Sequence, residues 1–281
     1  MRESGVLMHL TSLPSPYGIG TMGAAARDFS WKRVRVDGSV TGVKAADAGN
    51  VSEALGYMDG RCYVAPDGRR YRRGATARTA ALLLGAQDRM KDLKTVIAYA
   101  PEDMVKAYPE SSLSNWFVDT LMDSVSVRSG KKVHFGIVNF GGIRVDIAAG
   151  NVLKDDIVSM FPFKNNLCYL ELKGRDIRAL LEKMAAGQWQ VIGGVRCVAK
   201  DGKLLSATID GQELDDDLSY GVATISFLLN GGDGLNVARN STGLEIYDDY
   251  VLDVMLPHVE QLTREGRELK YSTDGRIRIL D

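Results

Sequence analysis

The stretch LCYLELKGRDIRALLEKM, residues 167–184, decides the fold class because it joins two elements of different period without a gap. Leu167 to Leu172 is an apolar run typical of a buried strand. After Gly174, apolar residues recur at i, i+3, i+4 and i+7, the spacing of one helix face. The residues of this face are Ile177, Leu180, Leu181 and Met184. A strand followed directly by an amphipathic helix predicts helices packed on a sheet.

The same alternation continues on both sides of this stretch. Further strands are predicted at residues 95–100, 133–138, 191–199, 204–209 and 220–225. Asp201-Gly202 and Asp210-Gly211 predict hairpin turns and therefore antiparallel pairing. The sequence thus predicts a layered α/β (α+β) fold, with mixed sheets and helices packed on them.

Three more helices are predicted from apolar spacing. The first carries Leu82, Ala86, Met90 and Leu93 on one face, and the second begins at Ser111 or Ser112 as its N-cap. The last helix turns Tyr247, Val251, Val254 or Met255, and Leu262 inward. Pro257 lies inside that pattern, so a kink or break is expected there.

Composition narrows the function classes. The chain has 281 residues, 45% of them hydrophobic, which is enough to bury a core. Its 35 basic and 36 acidic residues leave a net charge of −1, so no overall field attracts nucleic acid or an anionic membrane. The three cysteines and three histidines are scattered and show no metal-ligand spacing. We therefore expect a small-molecule partner and no metal site in this chain.

The first of three glycine-marked loops is NFGGIR, residues 139–144, at the end of a predicted strand. Paired glycines let the main chain turn sharply and approach a ligand closely. Asn139 offers a donor and an acceptor to the edge of a base, and Arg144 offers a planar fork to phosphate or ribose oxygens. A plain strand-end turn with a surface arginine explains the motif equally well, and both interpretations stay open.

The second loop is FPFKN, residues 161–165, and the third is FLLNGGDG, residues 227–234. Pro162 fixes the direction of Phe163, whose ring is either a core residue or one wall of a stacking slot. Asp233, presented among glycines, suits a cis-diol such as ribose, or it stands there for turn chemistry alone.

Together the loops supply the parts of a nucleotide pocket. Two aromatic rings sandwich a base, an amide reads its edge, a carboxylate holds ribose hydroxyls and a guanidinium meets the remaining oxygens. The predicted substrate-binding residues are Asn139, Gly142, Arg144, Phe163, Phe227, Gly232 and Asp233.

Four runs in series resemble the C-terminal domain of 5'-nucleotidases. They are PESSLSNWFVDTLM, GIVNFGGIRVDI, MFPFKNNLCYLELKGRDIRALLE and VATISFLLNGGDGL. The resemblance covers roughly residues 95–281, and we expect the domain to begin near Thr79. It also implies a structural or domain-facing role for Asn115.

The resemblance implies a role for each residue of the pocket. Phe163 and Phe227 stack on either side of the base, Asn139 contacts the base, and Arg144 and Asp233 hold the ribose. The bound molecule is then a nucleoside monophosphate or related nucleotide.

The chain departs from the family pattern at two positions near these motifs. Phe140 stands where most members have a small residue, so we expect a reshaped or partly closed pocket mouth. Many members place an arginine just before the position of Glu110, whereas Lys106 is the nearest basic residue here, so that ligand contact stays open.

The larger departure concerns catalysis. The resemblance implies hydrolysis by two-metal phosphoester chemistry, which in this family is carried out by an N-terminal domain with Asp, His and Asn ligands. The chain contains no DxH, GDxxD, GNHE or GHxH run. We therefore expect no catalytic residue in this chain, and we expect the divalent metals on a separate metallophosphoesterase partner.

The amino terminus has a signature of its own. Residues 4–29 resemble the opening of amylomaltase-type 4-alpha-glucanotransferases, but a (β/α)8 barrel needs about 250 residues and nothing after Phe29 continues that pattern. We interpret residues 1–30 as an extraneous fragment, 31–78 as a linker or partly ordered segment, and 79–281 as the 5'-nucleotidase C-terminal domain. No membrane span or export signal is predicted, while the family resemblance implies a periplasmic or cell-envelope location.

Two other functions stay open. Phe140 and the missing arginine suggest a non-catalytic interaction module of the same fold, and residues 4–29 suggest a glucanotransferase fragment. A binding site needs the rings of Phe163 and Phe227 to face each other across a gap of roughly 7 Å, which admits one base at van der Waals separation. Rings packed directly together would favour the module, and the transferase would require activity on maltooligosaccharides.

Overall fold

A computed structural model describes residues 50–280 of the chain. The helices are α1 Val51–Leu55, α2 Ala75–Gly85, α3 Gln87–Met90, α4 Ser112–Ser129, α5 Lys154–Met160, α6 Gly174–Ala186, α7 Ser226–Leu229 and α8 Val251–Arg264. The strands are β1 Tyr57–Asp59, β2 Cys62–Val64, β3 Arg70–Tyr71, β4 Val96–Ala100, β5 Phe135–Val138, β6 Gly150–Leu153, β7 Asn166–Lys173, β8 Val191–Gly193, β9 Val195–Lys200, β10 Lys203–Ile209, β11 Gln212–Glu213, β12 Ser219–Ile225, β13 Thr242–Tyr250 and β14 Ile277–Leu280. Short 3-10 turns occupy Phe140–Gly142 and Gly232–Gly234.

A five-stranded sheet with the order β13-β7-β12-β5-β8 forms the centre of the domain. β5 and β12 run parallel, with Phe135 opposite Val222, and the other neighbours are antiparallel. β7 pairs with β12 so that Leu167 lies opposite Ile225. The carboxyl ends of β5 and β12 and the amino end of β7 therefore share one edge of the sheet.

Helix α4 packs on this sheet and begins where the sequence predicts. Ser111 is its N-cap, because the Ser114 backbone N–H donates to Ser111 Oγ at 3.1 Å and the Ser111 N–H donates to Ser114 Oγ at 2.9 Å. This reciprocal pair satisfies donors that a helix start leaves without partners. The inward face of α4 carries the buried residues Leu113, Trp116, Phe117 and Leu121. In α6, Ile177, Leu181 and Met184 are buried and Leu180 is partly buried, as its spacing predicts.

A second sheet has the order β11-β10-β9-β14. The predicted hairpins are present, because β9, β10 and β11 pair antiparallel in succession. Asp201 and Asp210 both adopt the left-handed backbone conformation, with φ of 49° and 51°, and a glycine follows each of them. Consecutive residues with positive φ suit the tight turns that match the twist of paired strands. β14 then adds in parallel beside β9.

Two predictions about helices are wrong. The helix predicted over Leu82 to Leu93 is not one helix with an apolar inward face. α2 ends at Gly85, and Leu82 is 75% exposed. Its inward face instead carries Ala77, because α2 packs against the strands β1 and β2. Tyr247 is not part of the last helix, since the edge strand β13 continues to Tyr250 before α8 begins.

Of the kink or break predicted at Pro257, the break does not occur, because α8 is continuous from Val251 to Arg264. The described part of the predicted linker contains α1 and an antiparallel sheet of β1, β2 and β3, in which the rings of Tyr63 and Tyr71 stack at 5.9 Å. The assignment of residues 31–78 as a linker or partly ordered segment stays a prediction.

A buried guanidinium fixes the carboxyl-terminal segment to α4. The side chain of Arg276 is 7% exposed, and its two terminal nitrogens donate to Asp119 Oδ1 and Oδ2 at 2.9 and 2.8 Å. Its Nε donates to Asp274 Oδ1 at 2.9 Å. Nearby, Asn115 Nδ2 donates to Glu110 Oε2 at 2.8 Å and to the Ser272 carbonyl at 3.4 Å, which agrees with the structural role expected for Asn115.

Candidate functional site

The candidate site lies where the three glycine-marked loops meet at one edge of the five-stranded sheet. Asn139 follows β5, Phe227 lies in α7 immediately after β12, and Phe163 lies just before β7. In open α/β sheets, ligands commonly bind beyond the carboxyl ends of the strands. The topology therefore brings together residues that the sequence shows only as separate motifs.

A hydrogen bond joins the first and third loops. Asn139 is 6% exposed, and its Nδ2 donates to Asp233 Oδ2 at 2.9 Å. Its Oδ1 is buried and accepts no hydrogen bond from residues 50–280. A Cβ at Gly142 would lie 2.9 Å from this oxygen, so a glycine at 142 leaves space for the amide.

Asp233 adopts a left-handed backbone conformation. Its φ is 49°, and the positive-φ glycines Gly231 and Gly234 stand close by on either side. Asp is one of the few residues other than glycine that adopt this region readily, as Asp201 does in a hairpin turn, so the conformation is the turn chemistry expected of this loop. The side chain is exposed apart from its bond to Asn139. The carboxylate is thus presented to solvent at a fixed position.

The two predicted stacking rings are accessible. Phe163 is 47% exposed and Phe227 is 43% exposed, so the core interpretation of Phe163 is wrong. The Arg144 guanidinium carbon lies 5.8 Å from the centre of the Phe163 ring, within the range of a cation–π contact. Within residues 50–280 no ring contact joins Phe163 to Phe227, so the rings are not packed together. The width of the gap between them stays a prediction.

Glycine packing explains how the third loop holds its aromatic residue. A Cβ at Gly232 would lie 2.2 Å from the carbonyl oxygen of Phe227 and 2.7 Å from its ring. The loop that carries Asp233 therefore lies directly against Phe227. This contact fixes the ring and the carboxylate relative to each other.

Phe140 is buried, with 3% of its surface exposed. Its ring centre lies 4.2 Å from that of Tyr108, and its backbone N–H donates to Gln190 Oε1 at 2.9 Å. Phe140, Tyr108, Gln190 and Asp233 line a cavity of about 440 Å³, so the aromatic residue forms part of a wall beside the predicted ribose contact.

Sequence reasoning missed two side chains near the site. Asn165 is partly buried and lines a small depression together with Phe163 and Gly142. It belongs to the quoted FPFKN loop, where an amide two residues after the exposed aromatic was a usable signal. Gln190 is 7% exposed and acts on the backbone of Phe140, fifty residues away, so no local pattern marks it.

The described residues do not provide the donor set of a two-metal centre. Among residues 50–280 no group of three or more His, Cys, Asp or Glu side chains is placed to hold a metal ion. Burial lowers the pKa of both histidines in this range. His134 Nδ1 accepts from the Gly221 backbone N–H at 3.0 Å, and His258 packs on the ring of Trp116.

The family assignment follows from comparison with known proteins. The family described as "5'-nucleotidase, C-terminal domain" matches residues 95–240, just over half of the chain. The chain therefore belongs to this family, and the predicted family and layered α/β fold are confirmed. The amylomaltase-like segment, residues 4–29, lies outside both the matched range and the described residues.

Curated relatives share only part of their length with this chain. Protein UshA of Salmonella pullorum is 33% identical over 114 residues, covering 39% of this chain and 21% of that protein. The trifunctional nucleotide phosphoesterase protein YfkN of Bacillus subtilis is 28% identical over 187 residues, covering 60% of this chain and 12% of that protein. The match thus spans about a fifth or less of the length of these two proteins.

Solved structures support the same fold. The 5'-nucleotidase precursor from Thermus thermophilus superposes with a TM-score of 0.64 at 25% identity, over 73% of this chain and 43% of that chain. The NAD nucleotidase of Haemophilus influenzae superposes with a TM-score of 0.53 at 17% identity, over 78% of this chain and 48% of that chain, and shares the fold. Between residues 50 and 280, no helix has the length and apolar character needed to cross a membrane.

Proposed function

We propose that this chain binds the nucleoside part of a nucleoside monophosphate or related nucleotide at the edge formed by β5, β7 and β12. The observation that carries the proposal is the convergence of the three loops, with Asn139 bonded to Asp233 across 94 residues of sequence. Two accessible aromatic rings lie on the same loops. Such a set of aromatic, amide, guanidinium and carboxylate groups suits a base joined to a ribose.

Each residue has a separate task in the proposal. Phe163 and Phe227 stack on the faces of the base. Asn139 positions Asp233 and occupies only Oδ2, which leaves the other carboxylate oxygen for the ribose hydroxyls. Because Asn139 Oδ1 is buried and Nδ2 is bonded to Asp233, the proposal gives Asn139 the task of positioning Asp233 and not the base contact that the family resemblance implies. Arg144, beside the Phe163 ring, meets the remaining ribose oxygens.

Hydrolysis in this proposal depends on a second component. Since residues 50–280 provide no donor set for metals, the divalent ions and the activated water belong to a separate metallophosphoesterase domain or chain. The present chain then supplies substrate recognition for nucleotide breakdown. A periplasmic or cell-envelope location, implied by the family resemblance, is part of the same proposal.

Calorimetric titration with adenosine and AMP tests the proposal. The wild type binds both, and Phe163→Ala and Phe227→Ala each weaken binding by about 1–3 kcal/mol, the usual contribution of base stacking. Tyr99→Ala is a matched control, because Tyr99 is 50% exposed but lies on β4, away from the three loops. Absence of binding by the correctly folded wild type would refute the proposed function.

A non-catalytic interaction module is the second candidate. Two observations favour it: Phe140 packs against Tyr108 beside Asp233, and the ammonium of Lys106 donates to main-chain carbonyls. This candidate predicts no heat of binding with either ligand while thermal unfolding stays cooperative. The titration therefore separates the two candidates directly.

A further inference from the structure

We infer that Lys106 is a positioning residue that holds the turn from Asn139 to Arg144 in the shape that ribose recognition requires. This inference rests on the proposed nucleotide-binding function. Lys106 is partly buried, and its Nζ donates to the carbonyl oxygen of Ile143 at 2.9 Å and to that of Phe140 at 3.4 Å. Its own backbone N–H donates to Asp146 Oδ1 at 2.9 Å, so main chain and side chain are both fixed.

The turn is held by one side chain that donates hydrogen bonds to it and by another that accepts one from it. Lys106 supplies a charged donor to the carbonyls of Phe140 and Ile143. Gln190, on a different segment, supplies an acceptor to the Phe140 N–H at 2.9 Å. Within the turn, the Ile143 N–H donates to the Phe140 carbonyl at 3.1 Å. A lysine ammonium has three donors on a flexible stem, so it can serve two carbonyls at once without planar geometry.

Both ends of this turn carry groups assigned to the ribose. Asn139 begins it and bonds to Asp233, while Arg144 ends it and is tethered back through a 3.3 Å bond from its guanidinium to the Gly141 carbonyl. The stacking rings belong to the other two loops. A displaced turn should therefore impair recognition of the ribose more than stacking of the base, which the turn reaches only through the contact of Arg144 with the Phe163 ring.

Titrations with adenine, adenosine and AMP distinguish this role from direct contact with the ligand. Lys106→Met removes the ammonium and keeps most of the stem, and it should weaken the binding of adenosine and of AMP by the same factor. We expect about five- to tenfold, the effect of losing one hydrogen bond to the ribose when the turn moves. Adenine binding should fall by less than adenosine binding. Lys106→Arg should restore the adenosine affinity, because a guanidinium can donate to the same carbonyls. Lys203→Met, at an exposed position on β10, is the matched control.

Three titration results would overturn the inference. A loss confined to AMP would mean that Lys106 contacts the phosphate itself, an equal loss for all three molecules would mean a general structural defect, and unchanged affinities would mean that the turn needs no support from Lys106. The wild-type titration separates this from the proposed function, since a wild type that binds none of the three molecules refutes both.

A ligand-free measurement tests the structural step independently. In protein labelled with 15N-glycine, the amide resonances of Gly141 and Gly142 should move in Lys106→Met and return towards their wild-type positions in Lys106→Arg. Resonances that stay in place in Lys106→Met would overturn the inference even where adenosine affinity falls.

Discussion

Alanine substitutions at Gly232 and Gly234 test the packing of the third loop. The first is expected to clash with neighbouring atoms, and the second to strain only the backbone. In Gly232→Ala, the new Cβ would lie 2.2 Å from the Phe227 carbonyl oxygen and 2.7 Å from its ring. Rotating a flexible side chain cannot relieve a clash with a backbone atom. Overpacking costs typically 1–3 kcal/mol, and a backbone neighbour places this change near the upper end, at about 3 kcal/mol. In Gly234→Ala the Cβ meets open space, and only the left-handed φ of 73° costs about 1–2 kcal/mol.

Urea denaturation of both variants measures these free energies of unfolding, and calorimetry with adenosine measures the effect on binding. Gly232→Ala should be the less stable variant and should lose adenosine binding, because relieving the clash moves Phe227 away from Asp233. Gly234→Ala should bind more tightly than Gly232→Ala. Equal losses of stability in the two variants, or a Gly232→Ala protein that binds like the wild type, would show that the loop does not pack on Phe227 as described.

Arg276→Met should lower the free energy of unfolding by about 3 kcal/mol, the lower end for breaking a buried ion pair. The lower end applies because Asp119 is 26% exposed and keeps some solvation. A change near zero in the free energy of unfolding, measured by urea denaturation, would contradict this. Burial lowers the pKa of His134 below its ordinary value of 6.5, and its neutral Nδ1 accepts from the Gly221 N–H. The unfolded chain therefore takes up the proton first, so stability from this residue is present above pH 6.5 and is lost as the pH falls below it. His134→Asn should flatten, without abolishing, the fall of the urea midpoint with acidity, and an unchanged slope would exclude this contribution. Burial raises the pKa of the Cys168 thiol to about 12, so iodoacetamide should modify it only after unfolding, and mass spectrometry showing rapid labelling of the native protein would refute the described burial.

Local sequence patterns were sufficient for most of the secondary structure. Asp201-Gly202 and Asp210-Gly211 predicted two hairpins because few residue pairs tolerate consecutive positive φ angles. Ser111 predicted the start of α4 because its hydroxyl accepts from a backbone donor that the helix leaves without a partner. In such cases the physical cause lies within a few residues of the signal.

Predictions failed where distant packing decided the outcome. Tyr247 and Val251 have the spacing of one helix face, yet Tyr247 belongs to an edge strand that pairs with β7. The side chains of β13 are exposed or only partly buried along its length, so its sequence lacks the apolar run that identifies the buried central strands. The prediction that Leu82 faces inward failed for a similar reason. α2 turns the small residue Ala77 inward and leaves Leu82 exposed.

The candidate site was predictable in parts but not as a whole. The three loops are visible in the sequence because glycines, aromatics and polar residues follow apolar runs. The bond between Asn139 and Asp233 is not, because it depends on β5 and β12 being parallel neighbours. Nothing in the sequence marked Lys106 and Gln190 as residues that hold the first loop either. Each bonds to main-chain atoms of Phe140, and these atoms are the same whatever side chain stands at that position.

The parallel pairing of β5 and β12 also has a practical consequence for finding ligands. The three loops adopt their mutual arrangement only when β5, β7 and β12 are all in place, so a molecule that binds there recognises the folded sheet and not the unfolded chain. By mass action, a ligand at a hundred times its dissociation constant adds about 2.7 kcal/mol to the free energy of unfolding. A screen of small molecules by their effect on melting temperature would therefore find what this edge of the sheet binds without relying on an enzymatic assay.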